Sequence, residues 1–181
     1  IDTNIDLDTK KSILTCTCKM TSNESHILQA KLYDPQGNIV WNANMQDTFE
    51  IPVENTSLWS SEYPNLYQLE IVLYDANNEI IETIQEQVGF RKFTLEYGIM
   101  KLNGKRIVFH GINRHEWNAK TGRAITYEQM EEDIHMLKAL NINAVRTSHY
   151  PNNSYWYKLC DQYGIYVIDE MNLETHGAND I

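Results

Sequence analysis

The stretch from Asn143 to Gly177 constrains the fold of this chain more than any other. It reads NAVRTSHYPNNSYWYKLCDQYGIYVIDEMNLETHG. A short apolar strand leads into a polar loop. Pro151-Asn-Asn-Ser154 then opens an amphipathic helix from Tyr155 to Tyr163, and Gly164 closes it. Ile165 to Ile168 is a second strand, and its four residues are all apolar, as expected of a parallel strand buried on both faces. The pattern is a βαβ unit with a right-handed crossover. Ligands of parallel α/β folds bind at the carboxyl ends of the strands. Here those ends carry Arg146, Ser148 and His149, then Asp169, Glu170, Glu174 and His176.

The residues upstream extend the unit. Leu102-Asn-Gly-Lys105 is a hairpin signal within a connector over 91–105. A strand is expected at Arg106–His110, running into the polar group Asn113, Arg114, His115 and Glu116. The next helix carries its own start signal, because Thr126 and Gln129 have capping-box spacing. Glu128, Glu131, Glu132 and Asp133 crowd its positive end. Met130, Ile134, Leu137 and Leu140 form an apolar stripe. His135 lies off that stripe and reads as a surface or boundary histidine. A strand at Ile142–Val145 follows. Strand, helix, strand, helix, strand opens an α/β barrel or a doubly wound sheet. A whole barrel needs about 250 residues. As a (β/α)8 barrel, residues 91–181 would be its N-terminal part, with about three strands and two helices.

Residues 1–90 read as all-β. Alternating runs at Ser12–Lys19, His26–Tyr33 and Leu66–Tyr74, with shorter strands at Ile39–Asn44 and Thr48–Val53 and a return over Glu79–Phe90, each imply one buried face. Asp34-Pro-Gln-Gly-Asn38 and Asp75-Ala-Asn-Asn78 are turns. The spacing predicts an immunoglobulin-like β-sandwich, without the Cys…Trp…Cys pattern of antibody domains. Trp41, Trp59, Tyr63 and Tyr67 suggest sugar stacking, which would make this a non-catalytic sugar-binding or interaction module, but aromatic residues in a domain of this size are more often packing.

Charge narrows the function. The net charge is −10 and the pI about 5.0, a poor match to phosphate-mediated nucleic-acid binding. No apolar run approaches the ~20 residues that span a bilayer. The three cysteines, Cys16, Cys18 and Cys160, form no disulfide framework and suggest a reducing compartment. The chain starts at Ile1, not Met, as expected of a fragment or a processed piece, and with no signal peptide a cytoplasmic location is expected.

Three strand ends thus bring a mixture of donors and acceptors together, as neutral hydroxylated ligands require. Glu174 and His176, two apart in an extended segment, face one side and can share a divalent ion. A retaining glycosidase pair needs carboxyls ~5 Å apart and an inverting pair ~6.5–9.5 Å. Asp169 and Glu170 point to opposite faces of a strand, and Glu170 and Glu174 on an extended segment lie ~13 Å apart. From the residues alone, this is the sugar- or metal-binding end of an α/β barrel without visible catalytic groups.

Asn143-Ala-Val-Arg-Thr-Ser-His-Tyr-Pro151, followed by Trp156-Tyr157, Asp161 and Gly164-Ile-Tyr-Val-Ile168, resembles the first signature of glycoside hydrolase family 2. Asn113-Arg-His-Glu116 and Asn172-Leu-Glu-Thr-His-Gly177 resemble its β-galactosidase branch, which includes the large chain of two-chain forms, more than its β-glucuronidases. The resemblance implies a retaining, oligomeric enzyme acting on β-galactosides such as lactose. In it Glu174 and His176 bind Mg2+, His115 and His149 contact galactose and stabilise the transition state, and Arg146 orients the nucleophilic Glu and counts with the two histidines as substrate-binding. The acid/base and nucleophile of that family lie beyond residue 181, so no catalytic carboxylate is expected within this chain. Alone it should be inactive and, with an open sheet edge, self-associating.

Overall fold

A computed structural model describes residues 1–20 and 26–173. The described residues are mostly β-sheet with two helices, and they divide into two compact units. One comprises Ile1–Ser60 and Asn65–Ile107. The other takes Ser61–Pro64 and the chain from Val108 onward.

The first unit is a sandwich. Strands β1 (Asp2–Asp6), β2 (Lys11–Thr17) and β5 (Thr48–Val53) form one antiparallel sheet in the order β1-β2-β5. Strands β3 (Ile27–Tyr33), β4 (Ile39–Met45), β6 (Tyr67–Tyr74) and β7 (Ile80–Val88) form another, in the order β4-β3-β6-β7. Alternation decides the inner faces. Leu14, Cys16, Phe49, Ile51 and Val53 from one sheet meet Leu28, Ala30, Leu32, Leu69 and Ile71 from the other. Each fully buried aliphatic side chain contributes about 1.5–3 kcal/mol by leaving water. Trp59 and Tyr67 are buried, and Trp41 stacks on Phe49 at 6.3 Å. Tyr63, in the Ser61–Pro64 segment, is exposed.

The hairpins β3–β4 and β6–β7 turn on a shared device. Asp34 Oδ1 accepts from the amides of Gln36 and Asn38 at 2.9 and 2.8 Å. Asp75 Oδ1 accepts from Asn77 and Glu79 at 2.9 and 2.8 Å. The stretch over 91–105 is more than a connector. Strands β8 (Phe93–Glu96), β9 (Ile99–Leu102) and β10 (Lys105–Arg106) make an antiparallel meander. Its Asn103-Gly104 turn has both φ angles positive, at 51° and 78°, as the predicted hairpin requires.

In the second unit three strands are parallel: β11 (Gly111–Arg114), β12 (Ala144–Thr147) and β13 (Tyr166–Ile168), in the order β11-β12-β13. Helix α1 (Tyr127–Ala139) joins the first two strands and helix α2 (Ser154–Tyr163) the last two. Met130, Ile134 and Leu137 of α1 pack with Trp156, Leu159 and Cys160 of α2, with Val145 and with Ile165.

Two expectations are corrected here. The strand expected at Arg106–His110 is not the first parallel strand. Lys105–Arg106 pairs back onto β9, and Asn143 ties 108–110 to the foot of the sheet through its side chain, bonding the Val108 carbonyl and the His110 amide. The parallel strand is the polar stretch Gly111–Arg114, where Gly111 lets the backbone approach Ala144 closely (a Cβ there would sit 3.2 Å from Ala144 Cβ). Leu140 is exposed, because the helix caps at that residue and Asn141 takes a positive φ. The buried stripe therefore ends at Leu137.

Candidate active site at the strand ends

Parallel register sorts the polar residues at the strand ends into two layers. Asn113 lies beside Arg146, and Arg114 beside Thr147. Arg146 in turn lies beside Ile168, so Glu170 falls on the Arg146 side and Asp169 on the Thr147 side.

One layer is the candidate site. Arg146 Nε contacts Glu170 Oε1, and Arg146 Nη1 donates to Asn113 Oδ1 at 3.3 Å. His149 Nδ1 lies 2.8 Å from the other Glu170 oxygen. Glu170 carries no proton to offer, so the ring donates from Nδ1. The 3.4 Å approach of Arg146 Nη2 to that nitrogen is then two donors side by side, not a hydrogen bond. The His115 and His149 rings meet edge to face, with centroids 5.5 Å apart. The His149 hydrogen bond, and after it the Arg146 charge, hold the Glu170 carboxyl below its ordinary value of 4.5. Glu170 is therefore an anion at neutral pH whose two oxygens are already engaged. With Nδ1 committed, His149 Nε2 is the ring atom left for a ligand. The Ser148–His149 peptide is cis.

The other layer is less exposed. Arg114, 7% exposed, donates from Nε to Asp133 Oδ2 at 3.0 Å and from Nη1 to Asn152 Oδ1 at 2.7 Å. Its guanidinium carbon lies 3.7 Å from the centre of the Trp156 ring. Asp169 Oδ1 accepts from Thr147 Oγ1 at 2.8 Å and from the Tyr157 hydroxyl at 2.7 Å. Burial and the Asp169 bond push the Tyr157 phenol up to about 12. It therefore stays protonated and serves as a donor.

Of the residues expected in the site, His115, Arg146 and His149 stand together. Glu174 and His176 lie outside the described residues. Among the described residues no group of three or more His, Cys, Asp or Glu is placed to hold a metal ion. Arg114, grouped with the other strand-end residues by sequence, turns away from them. Thr147, Asn152 and Tyr157 were missed as supports. The only sequence signal for them was alternation along β12, together with the presence of Trp156-Tyr157 in the motif.

The chain is similar to known proteins over most of its length. Over 169 residues the chain is 53% identical to a β-galactosidase of Halalkalibacterium halodurans, covering 91% of this chain and 17% of that protein. It is 41% identical to the β-galactosidase large subunit of Lactobacillus acidophilus, covering 96% of this chain and 30% of that one. The chain thus spans less than a third of these relatives' length. A solved β-glucuronidase of Bacteroides uniformis superposes with a TM-score of 0.86 at 27% identity, over 94% of this chain and 22% of that one. The model of the glycosyl hydrolases family 2 matches residues 1–91, and that family's TIM barrel domain matches residues 93–181. Only Lys92 falls between the two matches, and from end to end the chain belongs to glycoside hydrolase family 2.

Proposed function

We propose that this chain is part of a retaining β-galactosidase that hydrolyses terminal β-D-galactosides such as lactose. The observation that carries the reading is the Arg146–Glu170–His149 cluster with His115 against it. Its one guanidinium is already neutralised by Glu170, so the remaining hydrogen-bonding positions suit an uncharged sugar. The 53% likeness to a β-galactosidase supports the same substrate.

In this reading His115 and His149 bind galactose hydroxyls and stabilise charge as the glycosidic bond breaks. Arg146, braced by Asn113 and Glu170, orients the nucleophilic carboxylate. That carboxylate and the acid/base come from parts of the parent outside these 181 residues, so the chain alone is inactive. Glu174 and His176 are the ligands proposed for Mg2+, offering one hard oxygen and one nitrogen. A bound magnesium would supply charge that positions and tunes the acid. The sandwich is of immunoglobulin type and acts as a spacer. The parent is a cytoplasmic oligomer.

The likeness to solved β-glucuronidases favours a second reading, a glucuronidase. A glucuronate would bring a carboxylate needing its own cation, and among the described site residues Arg146 is already committed. Hydrolysis of nitrophenyl β-galactoside and β-glucuronide by the full-length parent and by this chain, with magnesium and with chelator, separates the readings. The expected result is galactosidase activity in the parent that falls with chelator, and none in this chain. Turnover by this chain would place the acid and nucleophile within it and overturn the assignment of roles.

A further inference from the structure

We infer that Arg114 is a positioning residue that fixes the loop carrying His149. The inference rests on the reading of the strand-end cluster as a sugar site. Arg114 does not face that cluster, yet it is buried and bonded on several sides. Its side chain holds Asp133 of α1 and Asn152 of the β12–α2 loop, and lies on the Trp156 ring of α2. Its backbone carbonyl accepts from the Ser148 amide at 3.0 Å. The loop from Ser148 to Asn152 is thus gripped at both ends by one residue, and His149 lies between the grips.

The contacts continue beyond Asn152. Its amide donates to the Tyr157 hydroxyl at 2.8 Å, and that hydroxyl donates to Asp169. Thr147 Oγ1 donates to Asp169 and accepts from the Glu170 amide at 3.0 Å. A hydrogen-bonded path therefore runs from Asp133 on α1 to the backbone of Glu170, the residue that engages both Arg146 and His149. A planar guanidinium with several fixed donors suits the hub of such a path. Lysine replaces the fixed fork by a single nitrogen and has no plane to lay on Trp156.

The test uses the full-length parent. R114K cuts the grip at the hub. N152A cuts it at the loop, together with the 3.2 Å bond from Asn152 Nδ2 to the Tyr150 carbonyl, while leaving the Asn152 amide and its bond to Tyr157 in place. Leu159→Ala is the control, since Leu159 is buried in the α1–α2 core and its aliphatic side chain makes none of these hydrogen bonds. Misplacing reacting groups by about 1 Å can lower the rate ~100-fold. We expect R114K and N152A to lower kcat on nitrophenyl β-galactoside by about 10- to 100-fold, with KM changed far less. Peptides over 148–153 should exchange amide hydrogens faster than in the wild type. Leu159→Ala should lower Tm with kcat nearly unchanged. If R114K fails to fold, N152A decides. A kcat for N152A within about twofold of wild type, or losses that follow Tm as in Leu159→Ala, would overturn the inference. If the wild-type parent leaves β-galactosides intact, the proposed function fails, and hydrogen exchange still decides whether Arg114 holds the loop.

Discussion

Gly164 is the residue whose replacement should be felt most sharply for its size. It ends α2 in the left-handed region, at φ 70° and ψ 45°. A Cβ there would lie 2.3 Å from the Ser61 carbonyl oxygen and 2.8 Å from its carbon. The obstacle is backbone, so the Ser61–Pro64 segment must move. When it moves, the buried Ser61 hydroxyl loses its 2.6 Å bond to the Gly164 carbonyl. The left-handed conformation alone costs an alanine roughly 1–2 kcal/mol, and the broken buried bond adds about 1–3 kcal/mol. Gly164→Ala should therefore destabilise the second unit by about 2–5 kcal/mol. Gly122→Ala isolates the conformational part, because Gly122 has φ 64° and a Cβ added there would meet nothing within 4 Å. It should lose only about 1–2 kcal/mol. Ser61→Ala should lose about 1–3 kcal/mol, and less on top of Gly164→Ala than alone, because the bond is already gone. Urea unfolding followed by ellipticity at about 222 nm reads this unit, since both described helices belong to it. A Gly164→Ala loss equal to that of Gly122→Ala, or additivity with Ser61→Ala, would refute the steric argument.

Thr126→Ala removes the Oγ1 acceptor for the Gln129 amide and keeps the backbone N–H that donates to Gln129 Oε1, so it cuts one half of the capping box and should lower stability by about 0.5–2 kcal/mol in the same urea assay; an unchanged midpoint would count against the cap. Glu170 has a depressed carboxyl, so its contribution to stability is fully present above 4.5 and is lost as pH falls through its lower folded value. Glu170→Gln should flatten that acid limb, and a limb identical to the wild type's would show that other groups set it. The chain should self-associate. The outer edges of β11 and β13 have no strand partner among the described residues, and Val108, Ile112 and Ile168 are exposed beside them. Sedimentation velocity showing a monomer at every concentration would contradict this.

Features written in short-range spacing were legible in the sequence. The Thr126–Gln129 cap needs residues three apart, and the opposite facing of Asp169 and Glu170 needs only the two-residue period of a strand. Strand β11 was not legible because its sequence, Gly111-Ile-Asn-Arg114, gives polar side chains to both layers and leaves no apolar run to detect. Strand β1 was missed for a related reason: it buries only Ile5 among acidic and polar neighbours. The ties of Arg114 span 19 and 38 residues, and no local pattern announces that these segments meet. The partners of His149 and Arg146 likewise come from strands separated by a helix. Their residue types were readable, while their pairing depends on parallel register.

That register gives each position along the strand ends a parity. Residues of one parity face the open end, and residues of the other parity brace the helices. Exchanging Arg114 and His115 would leave composition and charge untouched. It would nevertheless put an imidazole where Asp133, Asn152 and Trp156 expect a guanidinium, and a second guanidinium beside His149. Resemblance between residue types is a poor guide to tolerance here. What each residue contributes depends on which face of its own strand it occupies.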